Sequence, residues 1–138
     1  METNMTDQPR WPLEGVKVLD LGQIYNGPYA GFLLAHAGAD VIKVEPLDGE
    51  VLRKRGGGLG APFSLTMLNT NKRGISINLK HPDGKQLLID LVKEADILLE
   101  NFAPGAMDRL GLGSDDLLRE NPRLIYGSST GYGLSGPD

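Results

Sequence analysis

The sequence predicts an α/β fold, a mostly parallel sheet flanked by helices, and three observations lead there. Short β-branched or apolar runs alternate with helix-like segments along the chain. Gly supplies 19 of 138 residues, roughly twice the usual ~7%, and together with 9 Pro it marks many tight turns between short elements. The first strand, helix and strand fall within about thirty residues, the spacing of a βαβ unit whose strands run parallel.

Residues 16–21, Val-Lys-Val-Leu-Asp-Leu, follow a Pro-Leu-Glu-Gly turn and read as the first strand. Asn26-Gly27-Pro28 opens a helix, with Asn26 near its N-cap, and Gly38 closes it. Residues 40–44 form the second strand, and 47–62 a Gly-rich loop containing Gly56-Gly57-Gly58, longer than simple connection requires. A short helix is expected over 63–69 and a third strand over 75–79, where Ile75, Ile77 and Leu79 alternate. Residues 82–94 carry the strongest helical pattern: Pro82 and Asp83 fill the first turn, and Leu87, Leu88, Leu91 and Val92 form an apolar stripe. A fourth strand spans 97–100, two short helices span 105–110 and 114–120 with Ser114 as N-cap, and a fifth strand spans 124–128. The last residues, 131–138, are turn chemistry with no closing helix, as in a portion of a larger domain.

Composition narrows the function. With no Cys, the chain has no disulfides, thiol catalysis, thiolate zinc or iron–sulfur ligation, and two His at 36 and 81 offer little for a metal. His36, between two alanines, reads as an ordinary helix residue. No apolar run approaches the ~20 residues of a membrane span, and the first residues lack the apolar core of a secretory signal. A cytoplasmic protein with no membrane partner is expected. Net charge is -4, yet residues 53–85 hold seven of the 14 basic side chains and one acid, Asp83. That pattern predicts a local anion site or a solvated basic loop, and no nucleic-acid partner.

Several loops carry candidate motifs. Gly22, Gly27 and Gly31 do not match the G-x-G-x-x-G of dinucleotide binding. Gly127-Ser128-Ser129-Thr130-Gly131 formally fits a nucleophile elbow, but no helix signal and no His follow, so it reads as a polar strand-end loop. Asp20, inside an apolar strand, needs hydrogen bonds or a cation. Arg53-Lys54-Arg55 reads as a phosphate grip or a disordered stretch. At the carboxyl end of the fourth strand, Asn101 offers a positioning amide, Phe102 an exposed aromatic face and Arg109 a phosphate fork.

A run of motifs then carries a resemblance. Leu13-Glu14-Gly15-Val16-Lys17-Val18-Leu19-Asp20, Gly27-Pro28-Tyr29-Ala30, Gly38-Ala39-Asp40-Val41-Ile42-Lys43-Val44-Glu45-Pro46 and Asn69-Thr70-Asn71-Lys72-Arg73 occur in order. Leu79-Lys80-His81-Pro82-Asp83-Gly84, the segment Ala95 to Gly105, Asn121-Pro122-Arg123-Leu124-Ile125-Tyr126 and Gly131-Tyr132-Gly133 follow. The chain resembles the amino-terminal part of a family III CoA-transferase, the CaiB/BaiF group that includes formyl-CoA transferase. The resemblance implies a flexible tail over 1–11, then a Rossmann-like CoA-binding domain over 12–138, truncated before the catalytic segment, in a subunit that forms an interlocked homodimer. It also implies no tightly bound cofactor: coenzyme A and acyl-CoA are substrates, with a carboxylic acid as second partner. Catalysis in the family proceeds through an aspartyl anhydride and an aspartyl-CoA thioester, and the resemblance puts that aspartate a few dozen residues past Asp138, leaving this stretch alone a poor CoA binder and inactive.

By matching position, Tyr25 and Asn26 would lie beside the thioester, Ile77, Asn78, Leu79 and Lys80 beside adenine and ribose, Asn101, Phe102 and Ala103 beside pantetheine or nucleotide, and Arg109 at a phosphate. Formyl-CoA transferase has Gln and Ala at positions 25 and 26, so its pocket is not implied here. It has Arg where this chain has Pro46, a contact that Arg53 or Arg55 would replace. Two alternatives stay open: an α-methylacyl-CoA racemase, which shares the fold and the Asn121–Tyr126 signature, and a non-catalytic CoA-binding fragment. Asn101-Phe102 and Asn71-Lys72-Arg73 favour the transferase.

Overall fold

A computed structural model describes residues 11–55 and 62–135; the N-terminal tail through residue 10, Gly56-Gly57-Gly58 and Asp138 lie outside the described residues. Five strands, β1 (Lys17–Asp20), β2 (Asp40–Glu45), β3 (Lys72–Ser76), β4 (Ile97–Glu100) and β5 (Ile125–Ser128), form one sheet in the order β3-β2-β1-β4-β5. Every neighbouring pair is parallel, with Val18 opposite both Val41 and Ile97. The βαβ expectation for β1 and β2 therefore holds. Helices α1 (Asn26–His36), α2 (Phe63–Leu68), α3 (Pro82–Lys93), α4 (Ala106–Leu110) and α5 (Ser114–Glu120) supply the crossovers, with a 3₁₀ turn at Val51–Lys54 inside the expected Gly-rich loop.

Alternation along β1 divides the core in two. Leu19 and Leu21 join Leu88, Val92, Leu98, Leu112 and Leu117 in the layer beneath α3 and α5, whereas Val18 joins Val41, Ala35 and Ala39 beneath α1. Asp20 therefore points toward α1. Asn121 ties the end of α5 to α3: its Nδ2 donates to the Val92 and Ala95 carbonyls at 2.8 Å each, closing the last turn of α3.

Several boundaries move. The third strand is Lys72–Ser76, three residues earlier than the Ile75/Ile77/Leu79 alternation indicated. β3 is an edge strand in which Arg73 stays exposed beside Asp40, while Lys72 is buried against Asp20. Ile77 is buried just past its end, where its amide still donates to the Glu45 carbonyl at 2.8 Å. Asn26 is the first helical residue of α1, not its cap: Tyr25 takes the cap position and no side chain caps the helix. Ser114 likewise lies inside α5, which Gly113 precedes. His81 caps α3, its Nδ1 accepting from the Asp83 amide at 3.2 Å.

Candidate functional site

The sheet order reverses direction at β1, and open α/β sheets bind ligands beyond the carboxyl ends of their strands at such a point. A cleft of about 430 Å³ lies at that edge. Leu21, Gly22 and Gln23 from the end of β1 form one wall, the segment Val44 to Asp48 with Glu50 a second, and Ile77, Asn78, Leu79 and Lys80 a third; Phe102 and Leu110 close it from the β4 side. Because β3 stops at Ser76, residues 77–80 form a turn, not a strand. The Asn78 side chain accepts the Lys80 amide at 3.1 Å, and the Asn78 carbonyl accepts the His81 amide at 3.0 Å. A Cβ at Gly84 would lie 2.1 Å from that carbonyl, so only glycine lets α3 start this close to the turn.

The glycines after β1 serve close approach. A Cβ at Gly22 would fall 2.6 Å from the Cα of Gly27, and one at Gly31 2.7 Å from Oδ2 of Asp20. The turn between them places Ile24 at φ +65°, a left-handed conformation costly for a β-branched residue. Asn101 holds it: its Oδ1 accepts from Gln23 N at 2.6 Å and its Nδ2 donates to the Gln23 carbonyl at 2.9 Å. The Asn101 amide is thereby engaged with the β1–α1 turn.

Behind the turn sits a buried charge cluster. Lys72 Nζ donates to Asp20 Oδ2 at 2.7 Å, to the Pro28 carbonyl at 2.8 Å and to Asn69 Oδ1 at 3.1 Å. Lys43 Nζ donates to the Gly22 carbonyl, 3.9 Å from Asp20 and 3.4 Å from Glu50. Burial lowers the Lys72 pKa below the usual ammonium value, and the Asp20 carboxylate opposes that shift. Asp20 thus finds the cation and hydrogen bonds its sequence position required.

Much of the basic stretch is paired within the chain, with only the Lys72 side chain buried among the four paired cations. Arg53 grips Glu45 with Nε and a terminal nitrogen, each at 2.6 Å, Lys54 pairs with Asp48, Arg73 with Asp40 and Lys72 with Asp20. Four of the seven cations between residues 53 and 85 are thus paired with carboxylates, and Lys80 lines the cleft. Arg53 holds the Glu45 carboxyl below its ordinary range.

Of the residues singled out from sequence, the cleft gathers Ile77, Asn78, Leu79, Lys80 and Phe102. Phe102 is half-buried, less open than expected, and also borders a second cleft of about 300 Å³ lined by Ala103, Glu100, Asp108 and Tyr126. Burial, reinforced by Glu100 and Asp108, raises the Tyr126 phenol above its usual value. Tyr25 and Asn26 stand apart and exposed at the mouth of α1, where Ser129 Oγ donates to Asn26 Oδ1 at 3.2 Å. Arg109 is exposed on α4. Sequence reasoning did not pick out Gln23, Glu50 or Lys43; Lys43 in an otherwise apolar strand was the one signal available, by the logic already applied to Asp20.

Comparison with known proteins decides the family. The model of CoA-transferase family III matches residues 13–138. The chain belongs to CoA-transferase family III. Among curated relatives of this family member, the succinyl-CoA–L-malate CoA-transferase beta subunit of Chloroflexus aurantiacus is 43% identical over 91% of the chain and 32% of the relative. The formyl-CoA:oxalate CoA-transferase of Streptomyces coelicolor is 45% identical over 88% of the chain and 30% of the relative. The chain thus spans about a third of the length of these relatives. A hypothetical protein from Mycobacterium tuberculosis superimposes with TM-score 0.87 at 43% identity, over 94% of this chain and 36% of that one. A CaiB/BaiF family protein from Brucella suis gives 0.86 at 40%, over 91% and 35%.

Proposed function

We propose that the full gene product transfers coenzyme A between an acyl-CoA and a carboxylic acid, and that this domain supplies the CoA cleft. The observation that carries the reading is the cleft itself, which gathers Phe102 and the Ile77–Lys80 turn at the carboxyl edge of the sheet in a family III chain. Its apolar walls, with Asn78 and Lys80 as polar points, suit a nucleotide or pantetheine arm, and the carboxylates of Glu45, Asp48 and Glu50 complete the lining. Tyr25 and Asn26, at the mouth of α1, would face the thioester; Asn101 and Ala103 would border the pantetheine, and Arg109 a phosphate. Relatives named for formyl-CoA:oxalate and succinyl-CoA–malate transfer support the reaction class.

In the proposed chemistry an aspartate beyond Asp138 attacks the thioester carbonyl carbon and expels the CoA thiolate, leaving an aspartyl–acyl anhydride. The thiolate attacks the aspartyl carbonyl, releasing the donor carboxylate and forming aspartyl-CoA. The acceptor carboxylate then displaces the thiolate to give a second anhydride, and thiolate attack on its acyl carbon yields the new acyl-CoA and frees the aspartate. The subunit would act in the cytoplasm as an interlocked homodimer, without a tightly bound cofactor.

The test is incubation of the full gene product with succinyl-CoA or formyl-CoA and oxalate or malate. Acid-dependent appearance of a new CoA thioester, with a covalent CoA adduct by intact mass when the acceptor is withheld, is expected. Deuterium entering the α-position of a branched acyl-CoA without any transfer would replace this reading with a racemase.

A further inference from the structure

Glu50 differs from the other carboxylates of the cleft. It precedes the 3₁₀ turn, is 1% exposed, and its Oε1 accepts from the Leu52 amide at 3.1 Å. Its Oε2 lies 3.4 Å from the Lys43 ammonium, yet among the described residues it has no hydrogen-bond partner. The Glu45 carboxylate beside it, by contrast, accepts from Arg53 through both oxygens and from the Glu50 amide at 3.0 Å. A buried carboxylate oxygen left without a donor carries a desolvation cost that a bound donor offsets.

The surroundings define the donor. Leu21, Val44, Ile77 and Phe102 make the wall apolar, and Glu45, Asp48 and Glu50 put three carboxylates in a lining whose single cation among the described residues is Lys80. A phosphate beside Glu50 would meet like charge, whereas a neutral N–H or O–H would not.

Resting on the acyl-CoA reading, we propose that Glu50 Oε2 accepts a hydrogen bond from an uncharged N–H or O–H group of the acyl-CoA, so that a phosphate-free part of the ligand occupies the Glu50 end of the cleft. Such donors occur in both halves of the molecule: the adenine amine and ribose hydroxyl in one, the pantetheine amides and hydroxyl in the other.

Calorimetric titration of the full gene product, wild type and Glu50→Gln, with adenosine 3′,5′-bisphosphate and separately with pantetheine tests it. Gln keeps the size of the side chain and its contact with Leu52 but removes the anionic acceptor. A charge-assisted hydrogen bond is worth about tenfold or more in affinity, so one half should weaken by about that factor while the other is unchanged. Loss confined to the bisphosphate assigns the adenosine, and loss confined to pantetheine assigns the arm. Unchanged binding of both halves overturns the proposal, and so does equal weakening of both, which marks a purely structural role. Should Glu50→Gln fail to fold, wild-type titration with the inosine and 2′-deoxy forms of the bisphosphate and with N-methylated pantetheine replaces it. Weakening with one set supports the proposal; undiminished affinity for all overturns it. A wild type that binds acyl-CoA but neither half selectively through Glu50 leaves the transferase reading standing, whereas one that binds no acyl-CoA removes both.

Discussion

Asp20 and Lys72 show how much of this site rests on charges placed out of water. Both side chains are essentially fully buried, 2.7 Å apart, and Lys72 also satisfies the Pro28 carbonyl within the first turn of α1. Removing one partner of such a pair leaves an uncompensated buried charge. Lys72→Met should therefore destabilise the domain by about 3 kcal/mol in urea denaturation, and Asp20→Asn added to it should recover part of the loss. Recovery of nothing would mean that Lys72 acts through packing alone. The Glu45–Arg53 clamp gives a pH signature. Arg53 holds Glu45 below its ordinary value of 4.5, so the folded state binds fewer protons there than the unfolded chain. Its stabilisation is present above that value and is lost as pH falls through the lower, folded one. Arg53 is about half exposed, so Arg53→Met should cost only about 1 kcal/mol at pH 7, and the gap from wild type should narrow in thermal melts as pH falls below 4.5.

Element existence was legible in the sequence because local patterns set it; what long-range pairing decides was not. β4 matches its expected bounds at 97–100, and α3 ends one residue early, since apolar strand runs and a Pro-Asp helix start are local signals. The third strand slipped because Lys72 and Arg73 look like loop residues until Asp20 and Asp40, far away in sequence, receive them. The same kind of pairing engages Arg53 and Lys54 of the basic stretch with Glu45 and Asp48, though both cations stay about half exposed or more. Of the site, the residues on the turn after β3 and Phe102 were readable, and Lys43 carried a signal as a lysine in an apolar strand, while Glu50 becomes visible only when the fold brings it to Lys43. Seating of α1 on β1 is the element-scale consequence. A Cβ at Gly31 would stand 2.7 Å from Asp20 Oδ2 and 3.0 Å from Lys72 Nζ, so Gly31→Ala should cost about 2 kcal/mol by overpacking. In the Lys72→Met background that cost should shrink, because one of the two crowded groups is gone, and chemical denaturation of the four variants measures the coupling.

At the scale of the whole molecule, the domain presents a cleft whose charge balance is poorly matched to a phosphorylated ligand. Arg53 and Lys54 pair with the lining carboxylates Glu45 and Asp48, and Lys80 is the only cation among the described lining residues. Large apolar side chains also stay open on one side: Tyr25, Tyr29 and Leu33 at helical spacing on and before α1, and Phe63, 82% exposed, on α2. The chain spans about a third of the relatives it matches. Under the transferase reading, the remaining phosphate contacts and the nucleophile come from sequence past Asp138. The 138-residue stretch produced alone should then bind acyl-CoA only in the micromolar range or more weakly and transfer nothing, while the full gene product does both. Parallel calorimetry and transfer assays on the two proteins make the comparison. Transfer by the short chain at a rate comparable to the full product would place the nucleophile within these residues and sink the proposed route. Equal affinity of the two for acyl-CoA, with transfer confined to the longer, would show that the cleft bounded by Glu50, Lys80 and Phe102 already holds the ligand's main contacts and that only the chemistry lies elsewhere.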